Sequence, residues 1–232
     1  LCTDGVAEFD LTTQRFKTLL QGNVDAIYFN EKLYIGKREE VFVYNESTGN
    51  FDLYYHLAGK DITLSCLHLD EKKNLWMGTT SNGLYCLSGD KKISQPVTRG
   101  NIASIYEDSS KELWICTWEE GLYRIKTDST IENFRHDPKN PNSICADFVR
   151  SCCEDNAGNL WIGTFHGLNR YEKSTGKFQL YTANLPTPPS GASSKMNKEQ
   201  FGWVLISEVS TISIQNMKSI PVTKPEIQRK KV

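Results

Sequence analysis

The sequence lacks several features that mark common functional classes. No apolar run approaches the roughly 18 residues that a membrane-spanning helix needs, so we expect no membrane segment in this chain. A charge excess of one sign is also absent, because 27 Lys and Arg residues are offset by 28 Asp and Glu residues. Without a basic excess the sequence does not indicate nucleic-acid binding. The composition is that of a globular chain, and its function has to be inferred from its internal sequence pattern.

Sites for metals, cofactors and catalysis are also not evident. The seven cysteines are odd in number, irregularly spaced and without a C-x-x-C pair. This usage argues against both a disulfide framework and a zinc site. No Ser/His/Asp order, phosphate-binding glycine loop or Cys/His pair stands out. We therefore predict no catalytic residues, no cofactor and no metal.

An internal repeat is the strongest positive signal. Asn74-Leu75-Trp76-Met77-Gly78-Thr79 recurs as Glu112–Thr117 and as Asn159–Thr164, with a weaker upstream copy at Lys32–Gly36. The steps between the motif leucines are 42, 38 and 47 residues. These steps are typical of β-propeller blades rather than of helical repeats.

Each strong copy has the same flanking residues. An apolar run ends in an acid five residues before the motif leucine, and a glycine begins the segment after the motif; these residues are Asp70, Asp108, Asp155, Gly83, Gly121 and Gly167. A polar turn and an aromatic-bearing segment follow. Four short strands joined by Asp, Asn and Gly turns predict one antiparallel four-stranded sheet per repeat. The fold class predicted is all-β, built of propeller blades.

The alternation within the motif predicts how the blades pack. The tryptophan faces one side of its sheet and the aliphatic residues face the other, as in a sheet covered on both faces. We expect Trp76, Trp114 and Trp161 to be buried at equivalent positions, with Tyr34 taking that place in the first blade. The repeated acids are expected to cap turns. The glycines are expected to supply a positive φ or room for a close crossing. Most of the cysteines are interpreted as core residues.

The repeats resemble the two-component regulator propeller repeat, whose consensus is close to D-x-x-G-x-L-W-I-G-T-x-x-G-L-x-R-Y. The segment from Asp155 to Tyr171 follows this consensus almost residue for residue, whereas Cys116 replaces its glycine. In that family the repeats build periplasmic propellers of hybrid two-component sensors, followed by kinase, receiver and DNA-binding modules. The resemblance implies a periplasmic, carbohydrate-responsive sensor. We find none of the later modules, so no enzyme activity is expected.

Ligand contacts are expected in the turns that vary between copies, because variable loops on a rigid repeat scaffold usually carry binding. The candidate residues are Trp118, Glu119, Phe165 and His166, which would hold an oligosaccharide ligand. The structural alternative is that Trp118 packs on a neighbouring loop and that His166 is a solvated turn residue. A polysaccharide-acting enzyme, a lyase or a glycosidase, is the alternative. It would need paired acids or a metal set at the ring axis.

The predicted organisation is an incomplete ring of about four and a half blades. A half-blade at 1–20 precedes blades at about 24–55, 62–96, 102–135 and 147–182, and an irregular tail occupies 183–232. In another reading frame the codons from Pro189 onward permit a further repeat. We infer that a frameshift between about Thr182 and Pro189 turned the next blade into an unrelated tail. The missing blades of a parent propeller would then be natural partners, and the isolated chain is expected to associate.

Overall fold

The computed structural model describes residues 5–10, 12–59, 61–90, 92–94 and 97–181. Within these residues every helix-or-strand element is a β-strand, and eighteen strands follow one another along the chain. The predicted all-β class is therefore confirmed. The predicted tail, with the inferred frameshift, lies outside the described residues.

The strands form one two-stranded sheet and four four-stranded sheets, all antiparallel. The two-stranded sheet contains β1 (Gly5–Asp10) and β2 (Arg15–Gln21). Blade 1 contains β3 (Ala26–Asn30), β4 (Lys32–Lys37), β5 (Glu40–Asn45) and β6 (Asn50–His56). Blade 2 contains β7 (Leu64–Leu69), β8 (Leu75–Thr79), β9 (Leu84–Leu87) and β10 (Ile93–Ser94). Blade 3 contains β11 (Ile102–Glu107), β12 (Leu113–Thr117), β13 (Leu122–Ile125) and β14 (Ile131–Phe134). Blade 4 contains β15 (Val149–Glu154), β16 (Leu160–Thr164), β17 (Gly167–Glu172) and β18 (Lys177–Tyr181).

Consecutive blades meet mainly through their first strands. Strand β7 contacts β3 and β11, and β11 contacts β15. Since blades of a propeller converge toward its axis, the first strand of each blade is the inner one. The described blades follow an arc, and the ring that they begin is not closed.

The motif tryptophans of blades 2 and 3 pack toward the next blade. Leu75 and Met77 lie in a core cluster with Tyr34 of blade 1. Trp76, on the opposite face of the same strand, lies with Leu113 and Ile115 of blade 3. This is the two-sided packing that the motif predicts.

The predicted burial of the motif aromatics is only partly correct. Tyr34, Trp76 and Trp114 are buried, with 6%, 8% and 0% of their surface exposed. Trp161 is half-buried instead. Blade 4 is the last sheet among the described residues, and Trp161 packs there against Tyr181 of its own blade, with 4.9 Å between ring centroids.

The repeated acids cap their turns, as predicted, and they also bind the motif tryptophans. Asp70, Asp108 and Asp155 each accept a hydrogen bond from the indole Nε1 of the tryptophan six residues later, at 2.9, 2.9 and 2.8 Å. Each also accepts the backbone N–H four residues later, at 2.8 to 3.0 Å. One carboxylate therefore closes the first turn and accepts the indole N–H of the motif tryptophan.

The glycine that precedes the third strand fills both predicted roles in blades 2 and 3. Gly83 and Gly121 each have a φ of 80°. A Cβ added to them would lie 1.7 Å from the carbonyl oxygen of Thr98 and 2.2 Å from that of Phe134. Backbone at or after the outer strand thus passes where a side chain would stand, and only glycine fits.

Gly121→Ala is therefore expected to destabilise the protein by about 1–3 kcal/mol, the cost of a strained backbone position. Urea unfolding of the purified chain measures the change. Gly89→Ala is the matched control, because a Cβ added at Gly89 would have no neighbouring atom within 4 Å and its φ is not positive. Equal stability of the two variants would contradict the assignment.

Candidate functional site

Aromatic side chains gather at one end of blades 3 and 4. The ring of Trp118 meets that of Phe148 edge-on, with centroids 4.6 Å apart. Phe148 in turn contacts Phe165 at 5.5 Å, and Phe165 contacts His166 at 5.7 Å. We call Trp118, Phe148, Phe165 and His166 the aromatic cluster. It spans two blades, as ligand sites on repeat scaffolds commonly do.

The meander places these residues together. In a four-stranded meander the turn between the second and third strands lies at the same end as the connection to the next blade. The Trp118 N–H donates to the Asn101 carbonyl at 3.1 Å, and the Phe165 N–H donates to the Phe148 carbonyl at 3.0 Å. Blade 2 makes the same bond between Thr80 and Thr63. The cluster therefore occupies repeat-equivalent positions next to the inner strands, and blade 2 has threonine at both.

Much of the cluster faces solvent. Phe165 is 76% exposed and His166 is exposed, whereas Trp118 and Phe148 are half-buried. The Arg150 guanidinium lies 5.9 Å from the Trp118 ring centre, within the range of a cation–π contact. An exposed ring held on a half-buried aromatic base, beside a cationic donor, is an arrangement that favours ligand binding over core packing.

A set of hydrogen bonds stabilises the connection that carries Phe148. The Arg135 Nη2 donates to the Asp147 Oδ2 at 2.9 Å and to the Glu119 carbonyl at 3.0 Å. The other oxygen of Asp147 accepts the His136 N–H at 2.7 Å. The Asp147 carbonyl accepts the Gly121 N–H at 2.9 Å. These bonds tie the 135–148 connection to the turn of blade 3.

The structure brings three of the four predicted ligand residues together. Trp118 and Phe165 meet through Phe148, and His166 adjoins Phe165. Glu119 lies on the same turn as Trp118 and is exposed. Ligand binding by these four stays a prediction. Sequence reasoning missed Phe148 and Arg150, which flank the start of the inner strand of blade 4. A comparison of Phe148 with Asn101 and Thr63 at the same repeat position would have found the first.

A buried His68–Glu107 pair lies at the opposite end of the inner strands. The His68 Nε2 and the Glu107 Oε2 are 3.2 Å apart, and their side chains are 4% and 13% exposed. The same inner-strand position carries Tyr28, whose hydroxyl donates to the Leu69 carbonyl at 3.1 Å. It also carries Tyr106, whose hydroxyl accepts the Glu154 N–H at 3.1 Å. The pair is therefore one of three equivalent contacts between blades, which favours a structural role.

Two of the turn acids, Asp108 and Asp155, have lowered pKa values. Burial alone would raise the pKa of Asp108, but hydrogen bonds from Trp114, Lys173 and the Glu112 backbone lower it below its usual value. For Asp155 burial is again the opposing effect, and bonds from Trp161, Asn159 and Ala157 lower its pKa to about 2. Carboxylates with depressed pKa values are poor proton donors near neutral pH.

A comparison with protein families bears on these repeats. Residues 143–166 match the family model described as the two-component regulator propeller. The match covers the inner strand of blade 4, its Leu-Trp-Ile-Gly-Thr strand and Phe148, Phe165 and His166 of the aromatic cluster. The resemblance inferred from the sequence is confirmed.

Solved structures with the same fold include extracellular domains from B. thetaiotaomicron. Two of these, each assigned to a hybrid two-component system, have TM-scores of 0.61 and 0.60 at 22% and 24% identity. Each match covers 72% of this chain and 24% of the other. The chain thus spans about a quarter of the extracellular domains that it matches. Virginiamycin B lyase from Staphylococcus aureus matches with a TM-score of 0.63 at 15% identity, over 80% of this chain and 64% of the lyase.

At these identities the structural matches show the propeller fold alone. No curated protein matches the sequence. The described part of the chain contains no helix that is long and apolar enough to cross a membrane.

Proposed function

We propose that this chain is part of the ligand-sensing propeller of a bacterial hybrid two-component receptor and that it binds an oligosaccharide at the aromatic cluster. The observation that carries the proposal is the cluster itself. It is built from repeat positions that hold small polar residues in blade 2, it leaves Phe165 exposed, and Arg150 lies over the Trp118 ring. The regulator propeller repeat of blade 4 and the sensor-domain fold support the signalling role.

The chemistry of the cluster suits a sugar ring. A pyranose presents an apolar C–H face and an equatorial belt of hydroxyls. The apolar face would stack on Phe165 or on the exposed part of Trp118, because the electron-rich face of an aromatic ring attracts polarised C–H groups. The hydroxyls would bond to the His166 imidazole, the Glu119 carboxylate and the Arg150 guanidinium, which supply both donors and acceptors.

The proposed location is the periplasm. The matched domains from B. thetaiotaomicron are extracellular domains of signalling systems, and this chain shares their fold. A receptor that recognises a sugar before uptake has its ligand face outside the inner membrane. The remaining blades of the propeller would be the partners of the described arc.

An enzyme propeller, a polysaccharide lyase or glycosidase, is the alternative, and the lyase fold match keeps it open. The geometry favours binding. The three repeat acids each bind an indole N–H, and the one buried His–Glu pair in the described residues repeats a contact that tyrosines make elsewhere. Turnover of a polysaccharide that is lost in Glu107→Gln would favour the enzyme.

The test is the binding of a panel of plant and host oligosaccharides to the purified chain by calorimetry. We expect Phe165→Ala and Trp118→Ala each to weaken binding by about tenfold or more, the loss of one stacking contact. Phe29→Ala is the matched control. Phe29 is 53% exposed but lies in blade 1, at the end of the blades opposite to the aromatic cluster. Retained affinity in Phe165→Ala and Trp118→Ala would contradict the assignment of the site.

A further inference from the structure

Two thiols meet across the boundary between blades 3 and 4. The Sγ atoms of Cys116 on β12 and Cys152 on β15 are 3.6 Å apart, a van der Waals contact, and neither cysteine is in a disulfide. Cys116 is completely buried, and Cys152 packs against the same core cluster. Sequence reasoning treated both as core residues and did not pair them, because the two positions are 36 residues apart and follow no cysteine motif.

Cys116 stands where the other three repeats have glycine. At Gly78 an added Cβ would lie 2.8 Å from Ile102 of the next blade, so blades 2 and 3 leave no room for a side chain there. Gly36 is equally close to Leu64. Blade 4 has the smaller Val149 at the position of Leu64 and Ile102, and Cys152 at the position of Leu67 and Ile105. Blades 3 and 4 thus differ from the other blades in a complementary way. Blade 3 has the larger Cys116 in place of glycine, and blade 4 has the smaller Val149 and Cys152 facing it.

We propose that Cys116 and Cys152 are a disulfide site that joins blade 3 to blade 4. An S–S bond is about 2.05 Å long, so the sulfurs must approach by about 1.5 Å, which a change of side-chain torsion can supply. The proposal rests on the proposed function in one respect: a periplasmic location is oxidising and would supply the disulfide oxidant.

The bond forms by two exchange steps. One cysteine, as its thiolate, attacks a sulfur of a disulfide oxidant and releases the first oxidant thiol. The second cysteine loses its proton and attacks the mixed disulfide, which forms the Cys116–Cys152 bond and releases the second thiol. Two electrons pass to the oxidant. Contact with Cys116 and burial raise the pKa of the Cys152 thiol well above its usual value. The exchange therefore belongs to the stage of folding before blades 3 and 4 close on each other.

The Cys116–Cys152 pair lies close to the aromatic cluster along the same strands. Trp118 follows Cys116 by two residues, and Arg150 precedes Cys152 by two. A bond between the two strands would fix the separation of the blades that carry Trp118 and Phe148. Reduced mobility of both rings lowers the entropic cost of binding a ligand at the aromatic cluster.

The test is peptide mapping of the full 232-residue chain after refolding with oxidised glutathione. Remaining thiols are blocked with N-ethylmaleimide in denaturant, and trypsin then releases the peptides 112–124 and 151–170. A parallel sample is oxidised in urea, where the seven cysteines pair without structural guidance. We expect the disulfide-linked pair of these peptides to be the main linked species only in the refolded sample.

Single substitutions show whether Cys152 or the adjacent Cys153, which lies in the same peptide, forms the link to Cys116. The linked pair should persist in Cys153→Ala and fall to background in Cys152→Ala and in Cys116→Gly, which restores the residue of the other repeats. The proposal is overturned if the refolded and urea samples show the same pairings, or if Cys153→Ala removes the link. Because the assay uses no sugar and no cell compartment, its failure leaves the binding test of the proposed function unaffected.

Discussion

Trp114→Ala is expected to lower the free energy of unfolding by about 3–5 kcal/mol, the range for a fully buried aromatic truncated to alanine. Trp114 has no exposed surface. Its ring packs on Phe134 and Tyr171, with centroids 6.0 and 5.3 Å away, and the Arg124 guanidinium lies 5.2 Å above it. Its indole N–H donates to Asp108 at 2.9 Å. Urea unfolding followed by circular dichroism measures the loss.

Two further variants separate the causes of this loss. Trp161→Ala removes the equivalent residue of blade 4, which is half-buried, so the cost should be clearly smaller. Trp114→Phe keeps an aromatic ring but leaves the Asp108 carboxylate without the indole N–H. Equal costs for Trp114→Ala and Trp161→Ala would show that the boundary between blades 3 and 4 is not a tightly packed core.

Asp108→Ala is expected to cost about 3–5 kcal/mol, as for a buried charge pair that loses one partner. The Asp108 side chain is fully buried and binds the Trp114 indole, two backbone N–H groups of its turn and the Lys173 ammonium at 2.9 Å. Its removal leaves an ammonium and an indole N–H with fewer partners between two blades. Asp155→Ala, whose turn is half-buried, is the matched control and should cost less.

The same carboxylates predict how stability depends on pH. A carboxyl whose pKa is lower in the folded protein than in the unfolded chain stabilises the fold above its unfolded value, near 4. That stability is lost as the pH falls through the folded value of the pKa, which is about 2 for Asp155 and is also lowered for Asp108. The melting temperature should therefore drop between about pH 4 and pH 2. In Asp108→Ala the drop should be smaller. An unchanged pH profile in the variant would mean that Asp108 is not ionised in the fold.

The blades were predictable because the same local contacts recur at the same spacing in each one. The distance from acid to tryptophan is constant along the chain, since one carboxylate must reach both its turn and the indole. The glycine before the third strand repeats in blades 2 and 3 because a neighbouring carbonyl occupies the space of its side chain. Such constraints act within one blade and its neighbour, so they produce a repeat in the amino-acid sequence. The half-burial of Trp161 was not predictable in this way, because burial depends on what covers the sheet.

The candidate site was only partly predictable for the opposite reason. Trp118 and Phe165 stand out as departures from the repeat in a variable turn. Phe148 could have been found by aligning the repeats, whereas the position of Arg150 next to that turn follows only from the three-dimensional arrangement. The contact of Cys116 with Cys152 is likewise a matter of how two sheets face each other. One-dimensional spacing does not contain that information.

The most direct test of the central claim, that these blades carry a sugar-binding face at the aromatic cluster, is amide hydrogen exchange with and without the oligosaccharide of highest affinity. We expect slowed exchange in the turns at 118–120 and 165–167 and in the connection at 145–150. Exchange should be unchanged in the acid-capped turns at 70–74 and 108–112, which lie at the opposite end of the blades from the aromatic cluster. Protection confined to those acid-capped turns, or a full oligosaccharide panel that alters exchange nowhere, would contradict the claim.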